Sequence, residues 1–114
     1  MAKKSAIRYA MEEQRSLAFG SISGTYAGVG IALTNPARQI FVDNATDADL
    51  QFSLDGVTDH FVVLSRSSLV SDIAANKTQD AGFYMAEGDR LYVKTIEAPT
   101  EKSVYFSVIY GEDQ

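Results

Sequence analysis

Leu50-Gln51-Phe52-Ser53-Leu54 alternates apolar and polar residues without a break. Successive side chains of a β-strand point to opposite faces, so this spacing puts Leu50, Phe52 and Leu54 on one face of a half-buried strand. Asp55-Gly56 follows at once and is a strong hairpin signal. Residues 60–64 then read as the returning strand. Upstream, residues 39–43 form a strand whose Ile40 and Val42 face one way and Phe41 the other. Residues 44–49, Asn44-Ala45-Thr46-Asp47-Ala48-Asp49, are turn chemistry, with side chains able to bond their own backbone. Downstream, residues 69–74, 82–86, 90–96 and 103–110 read as further strands between polar turns.

That rhythm, about seven or eight strands at roughly ten-residue spacing, is the pattern of a β-sandwich or jelly roll. No helical crossover interrupts it, which excludes a parallel α/β sheet. The expected fold is therefore all-β: an antiparallel β-sandwich, jelly-roll-like, over residues 16–114. Residues 1–15 differ in character and are expected to form an N-terminal arm. Ile7, Ala10, Met11 and Gln14 have helix-compatible spacing, so a short helix is the alternative to an extended arm, which is favoured. In residues 16–34, Leu17, Phe19 and Ile22 could begin one strand, and Tyr26, Val29, Ile31 and Leu33 another. The glycines among them (Gly24, Gly28, Gly30) mark flexible or closely packed backbone at an edge or against a neighbour.

Composition narrows the function classes. The chain has 114 residues, enough for one domain with a core of its own, and 46% of them are hydrophobic. It has no cysteine, which excludes a disulfide framework, thiolate metal ligands and a cysteine nucleophile. The net charge of −5 lacks the footprint of a general nucleic-acid binder. The leader carries Lys3, Lys4, Arg8 and Arg15 against Glu12 and Glu13, so a basic arm sits on an acidic body. No apolar run reaches the roughly 20 residues of a membrane span. The first residues lack the apolar core of a secretory signal, so synthesis and folding in the cytoplasm are expected.

The chemistry-bearing residues have structural explanations. His60, the one histidine, follows Asp59, but adjacent strand residues point to opposite faces and cannot orient one another. Asp43, Asp47 and Asp49 lack the glycine bend and terminal bidentate carboxylate of a calcium loop. The sequons at Asn44 and Asn76 read as turn asparagines. Gly24-Thr25-Tyr26-Ala27-Gly28-Val29-Gly30 lacks the lysine and hydroxyl of a phosphate cradle. No catalytic, cofactor or metal site is expected. Residues 104–110, by contrast, are apolar on both faces: Val104, Phe106 and Val108 on one, Tyr105 and Ile109 on the other. The second face calls for a cover, from the chain itself or from a partner subunit.

Several stretches carry a family resemblance. They are Ala6-Ile7-Arg8-Tyr9-Ala10-Met11-Glu12-Glu13-Gln14-Arg15, Gly24-Thr25-Tyr26, Leu33-Thr34-Asn35-Pro36, Ser53-Leu54-Asp55-Gly56 and the closing Val104-Tyr105-Phe106-Ser107-Val108-Ile109-Tyr110-Gly111. With the 44–49 turn, they give the chain a texture that resembles small virion structural proteins of tailed bacteriophages and prophages. The resemblance implies a non-enzymatic β-sandwich, present in many copies at the head–tail junction or tail. The alternative within that class is a capsid decoration protein. From another class, a small ligand- or carbohydrate-binding sandwich would need an aromatic platform, usually with tryptophan, and the chain has none. Expected partners are other copies of the chain and adjoining virion proteins (portal or adaptor, tail, or major capsid protein), without membrane or direct nucleic-acid contact. The expected contacts are Lys3, Lys4, Ile7, Arg8, Tyr9 and Met11 of the leader, with Tyr26, Tyr105 and Ile109 of the body.

Overall fold

The computed structural model describes residues 7–72, 85 and 87–113. In these residues the chain is all-β, with two antiparallel sheets that share one core, consistent with a β-sandwich. The strands are β1 (Ile7–Met11), β2 (Arg15–Ala18), β3 (Ala27–Gly28), β4 (Gln39–Asn44), β5 (Leu50–Ser53), β6 (Phe61–Val63), β7 (Ser67–Asp72), β8 (Tyr92–Thr95) and β9 (Ser103–Asp113). The first sheet has the order β1-β9-β4-β7, with β2 also on β9; the second has the order β3-β8-β5-β6.

Alternation builds the core from both sides. In β4, Ile40, Val42 and Asn44 are buried while Gln39, Phe41 and Asp43 face out. In β9, Val104, Phe106 and Val108 are buried and their odd-numbered neighbours are half-buried. From the second sheet come Leu50 and Phe52 of β5, Val63 of β6 and Val93 of β8. The Phe52 and Phe61 rings stack, with centroids 5.4 Å apart.

The leader is extended where it is described: β1 is a strand, and the helical alternative fails there. Its backbone pairs with the far half of β9, Ile7 opposite Asp113 and Met11 opposite Ile109. Local spacing suited a helix, but so short a helix is marginal alone, and the ladder with β9 supplies the hydrogen bonds that it would lack.

The glycine-containing segment also departs from expectation. Leu17 lies in β2, but Phe19 falls in a short 3-10 turn and Ile22 follows it. Of the second expected strand only Ala27 and Gly28 are regular. From there the chain runs irregularly beside residues 85–91, bonded through Val29 N to Leu91 O, Leu33 N to Asp89 O and Ala37 N to Met85 O. These contacts bury Val29, Leu33 and Ala37 without a continuous ladder.

The Asp55-Gly56 reversal joins β5 to β6, with Gly56 at φ +80°. β5 stops at Ser53 rather than residue 54, and Ser53 is fully buried although its place in the alternation is a polar one. Its hydroxyl accepts the N–H groups of Asp55 and Gly56 and donates to the Asp55 carboxylate, so the loop folds back over it. β7 begins at Ser67, two residues before the expected strand. The strand expected over residues 82–86 lies outside the described residues except for Met85, which is buried in the core.

Candidate functional site

Residues directly opposite one another in adjacent strands share a face, so the register maps the outer surface of the first sheet. One row is Met11, Ile109, Gln39 and Asp72; the next is Ser107, Phe41 and Val70; the third is Ser16, Tyr105, Asp43 and Ser68. An apolar strip therefore crosses the sheet from β1 to β7. Its two ends are the most open part, with Met11 59% and Val70 60% exposed, while Phe41, Tyr105 and Ile109 between them are half-buried. Asp43, in the third row, accepts a hydrogen bond from the Ser68 hydroxyl.

Three of the expected contact residues thus converge: Met11, Tyr105 and Ile109 lie on this one face. Ile7, Arg8 and Tyr9 lie in β1, at register positions opposite Asp113, Glu112 and Gly111. Lys3 and Lys4 fall outside the described residues. Tyr26 stands apart, just before β3 of the second sheet, with Lys94 of β8 over its ring.

At the start of β2 the chain is pinned by a residue that composition alone counted among the leader's charges. Arg15 is only 6% exposed. Its guanidinium donates to the carbonyls of Ile31, Ala32 and Glu13 at 2.8, 2.9 and 3.1 Å, and to Glu12 Oε1 at 2.7 Å. Glu12 in turn accepts the Thr34 hydroxyl at 2.9 Å. Burial works against the Glu12 charge, but the bonds from Arg15 and Thr34 outweigh it and hold the carboxyl below its usual range. Gly30, at φ +72°, completes the knot, since a Cβ there would lie 2.7 Å from the Arg15 stem. At Gly28 a Cβ would fall 2.2 Å from the Arg90 guanidinium. Two of the three glycines therefore mark close approach to arginines of the same chain. A cleft of about 500 Å³ opens beside the knot, and its buried charges, Glu12 and Arg15, are already bonded to each other.

The second sheet carries a different outer surface. The Tyr26 hydroxyl donates to Asp59, and Lys94 lies 3.2 Å from the same carboxylate and 4.7 Å above the Tyr26 ring. Burial, then the bond to Asp59 and the nearby carboxylates, push the Tyr26 phenol well above its ordinary value. Arg90 sits 5.7 Å from the Tyr92 ring centre, and Gly56 packs against that ring. Both tyrosine rings are thus engaged by neighbours from their own chain.

The remaining chemical candidates are structural. His60 Nδ1 accepts the Leu54 N–H at 3.0 Å, closing the β5–β6 loop, while Asp59 turns to Tyr26 and Lys94. Asp43, Asp47 and Asp49 disperse to Ser68, Thr100 and the Ser65 N–H. Among the described residues no three metal-ligating side chains gather. Asn44 is 1% exposed, its amide donating to the carbonyls of Ala48 and Val63 at 2.8 and 3.0 Å and its oxygen accepting the Thr46 N–H at 3.0 Å. It locks the β4–β5 crossing to the end of β6, a role its appearance in a polar turn did not announce. No helix of the described residues is long and apolar enough to cross a membrane. No protein-family model matches the chain, and neither a curated protein nor a solved structure matches it.

Proposed function

We propose that this chain is a non-enzymatic structural protein of a tailed-bacteriophage particle, made in the host cytoplasm and built into the virion as a symmetric oligomer. The head–tail junction or tail is the favoured place, with capsid decoration as the other. The reading includes a jelly-roll-like winding of the sandwich and docking to neighbouring virion proteins through the leader. The observation that carries it is the apolar strip from Met11 to Val70, which crosses the outer face of the first sheet and is open at both ends. Assembly proteins need such a surface, because each copy buries it only when neighbours arrive.

Mass spectrometry of purified particles tests the reading. The chain is expected at fixed stoichiometry to the major capsid protein, as one ring for a neck or tail component and in hundreds of copies for decoration; its absence overturns the proposal. Removing residues 1–11, which spares the Glu12–Arg15 pair and β2, should leave a folded chain that no longer enters particles.

A further inference from the structure

We propose that copies of this chain join edge to edge through the first sheet, β7 of one copy adding to the β1–β2 edge of the next. The inference deepens the assembly reading above and rests on it for the presence of many copies.

The two sheets treat their edges differently. The second sheet ends in β3, of two residues, and β6, of three, and short edge strands offer little template for a foreign strand. The first sheet ends in β7, of six residues, and on the other side in β1 and β2, of five and four. The β7 sequence, Ser67-Ser68-Leu69-Val70-Ser71-Asp72, contains no lysine, arginine or proline, the residues that normally guard an open edge. Among the described residues, no strand pairs with the outer side of β7, β1 or β2.

Strand direction fits a second copy as the occupant. Every neighbouring pair in the first sheet is antiparallel, so β1 and β2 run antiparallel to β7. Two copies in the same orientation therefore meet in the antiparallel sense, and the alternation of the sheet continues unbroken across the junction. Such a contact is head-to-tail, so repeating it closes a ring when the rotation between copies divides a full turn.

The side chains agree. Val70 and Met11, the most exposed apolar residues of the strip, lie on opposite edge strands of the same face. The junction brings Val70 of one copy beside Met11 of the next and carries the strip across the boundary.

The test is the oligomeric mass of the full chain by analytical ultracentrifugation, with circular dichroism as the check on folding. Wild type is expected as an oligomer, and Val70→Lys or Met11→Lys should each reduce it to the monomer without changing the spectrum. The double variant V70K/M11E, which places opposite charges on the two edges, should reassemble. Single variants that stay oligomeric, a double variant that stays monomeric, or a wild-type chain that is monomeric at every concentration overturns the junction. Particle composition is measured separately, so the assembly reading stands or falls on its own result.

Discussion

The two sheets share one core yet present opposite outer surfaces. On the second, Tyr26, Asp59 and Lys94 form one bonded group and Arg90 and Tyr92 another, Val62 is exposed beside them, and both edges are short. On the first, the strip from Met11 to Val70 is left open and the edges are long. The difference teaches where to look for association. Polar groups that already bond one another gain little from a partner, whereas an apolar strip whose edges are unpaired among the described residues gains burial and backbone hydrogen bonds together.

The sharpest way to break the comparison is within β9, which faces the core on one side and the strip on the other. Phe106→Ala should destabilise the chain by about 3–5 kcal/mol, because it opens a cavity between the sheets. Tyr105→Ser, one residue away, should leave the denaturation midpoint of the monomer nearly unchanged while weakening self-association. Equal losses of stability in urea titrations would mean that the outer face is as structural as the inner one.

Next in size is the knot that orients the leader. Arg15→Ala leaves the Glu12 carboxylate buried without its partner and should lower stability by about 3 kcal/mol. The paired change E12Q/R15M should recover much of that loss. Recovery by the pair and not by either single change would show that the arginine acts through Glu12 rather than through packing alone.

Acid tests the second sheet. Asp55 is held below the usual carboxylate range by the N–H groups of Thr58 and Val57 and the Ser53 hydroxyl, and Asp59 by the Tyr26 hydroxyl and Lys94. A depressed folded pKa adds stability above the unfolded value, about 4 for aspartate, and that stability is lost as pH falls through the folded value. Thermal midpoints should therefore drop as pH is lowered below about 4. Tyr26→Phe, which removes a donor to Asp59, should make that drop shallower. Both carboxylates are exposed, so the change will be modest.

The smallest effect concerns the chain crossings from the second sheet into the first. Arg66, before β7, and Lys102, before β9, have φ of +57° and +68°, a left-handed conformation that favours glycine. Lys102→Gly should raise stability by up to about 1 kcal/mol in urea titrations, because relief of strain outweighs the added freedom of the unfolded chain. A loss instead would show that the lysine side chain holds the crossing.

Much of the body was legible because its signals are local. The alternation in β4, β5 and β9 named the buried faces, and Asp55-Gly56 marked the β5–β6 reversal. The second apolar face of β9 was visible too, although its neighbours Phe41 and Val70 were not, since register joins residues far apart in sequence. Arg15 and Asn44 escaped for a related reason. Each is a polar residue in a polar context, and only distant carbonyls, those of Ile31 and Ala32 or of Val63, bury and satisfy it. Gly28 and Gly30 announced close approach without saying to what.

By itself the sequence placed strands at β4 to β9 and named the apolar faces of β4, β5 and β9, because a period of two is written in neighbouring residues. Only the tertiary structure decided that β1 and β2 share β9, that β4 lies between β9 and β7, and that Met11 and Val70 end up on opposite edges of one strip. Strand pairing is set by contacts between residues far apart in the chain, where burial and backbone bonding are weighed across the whole core.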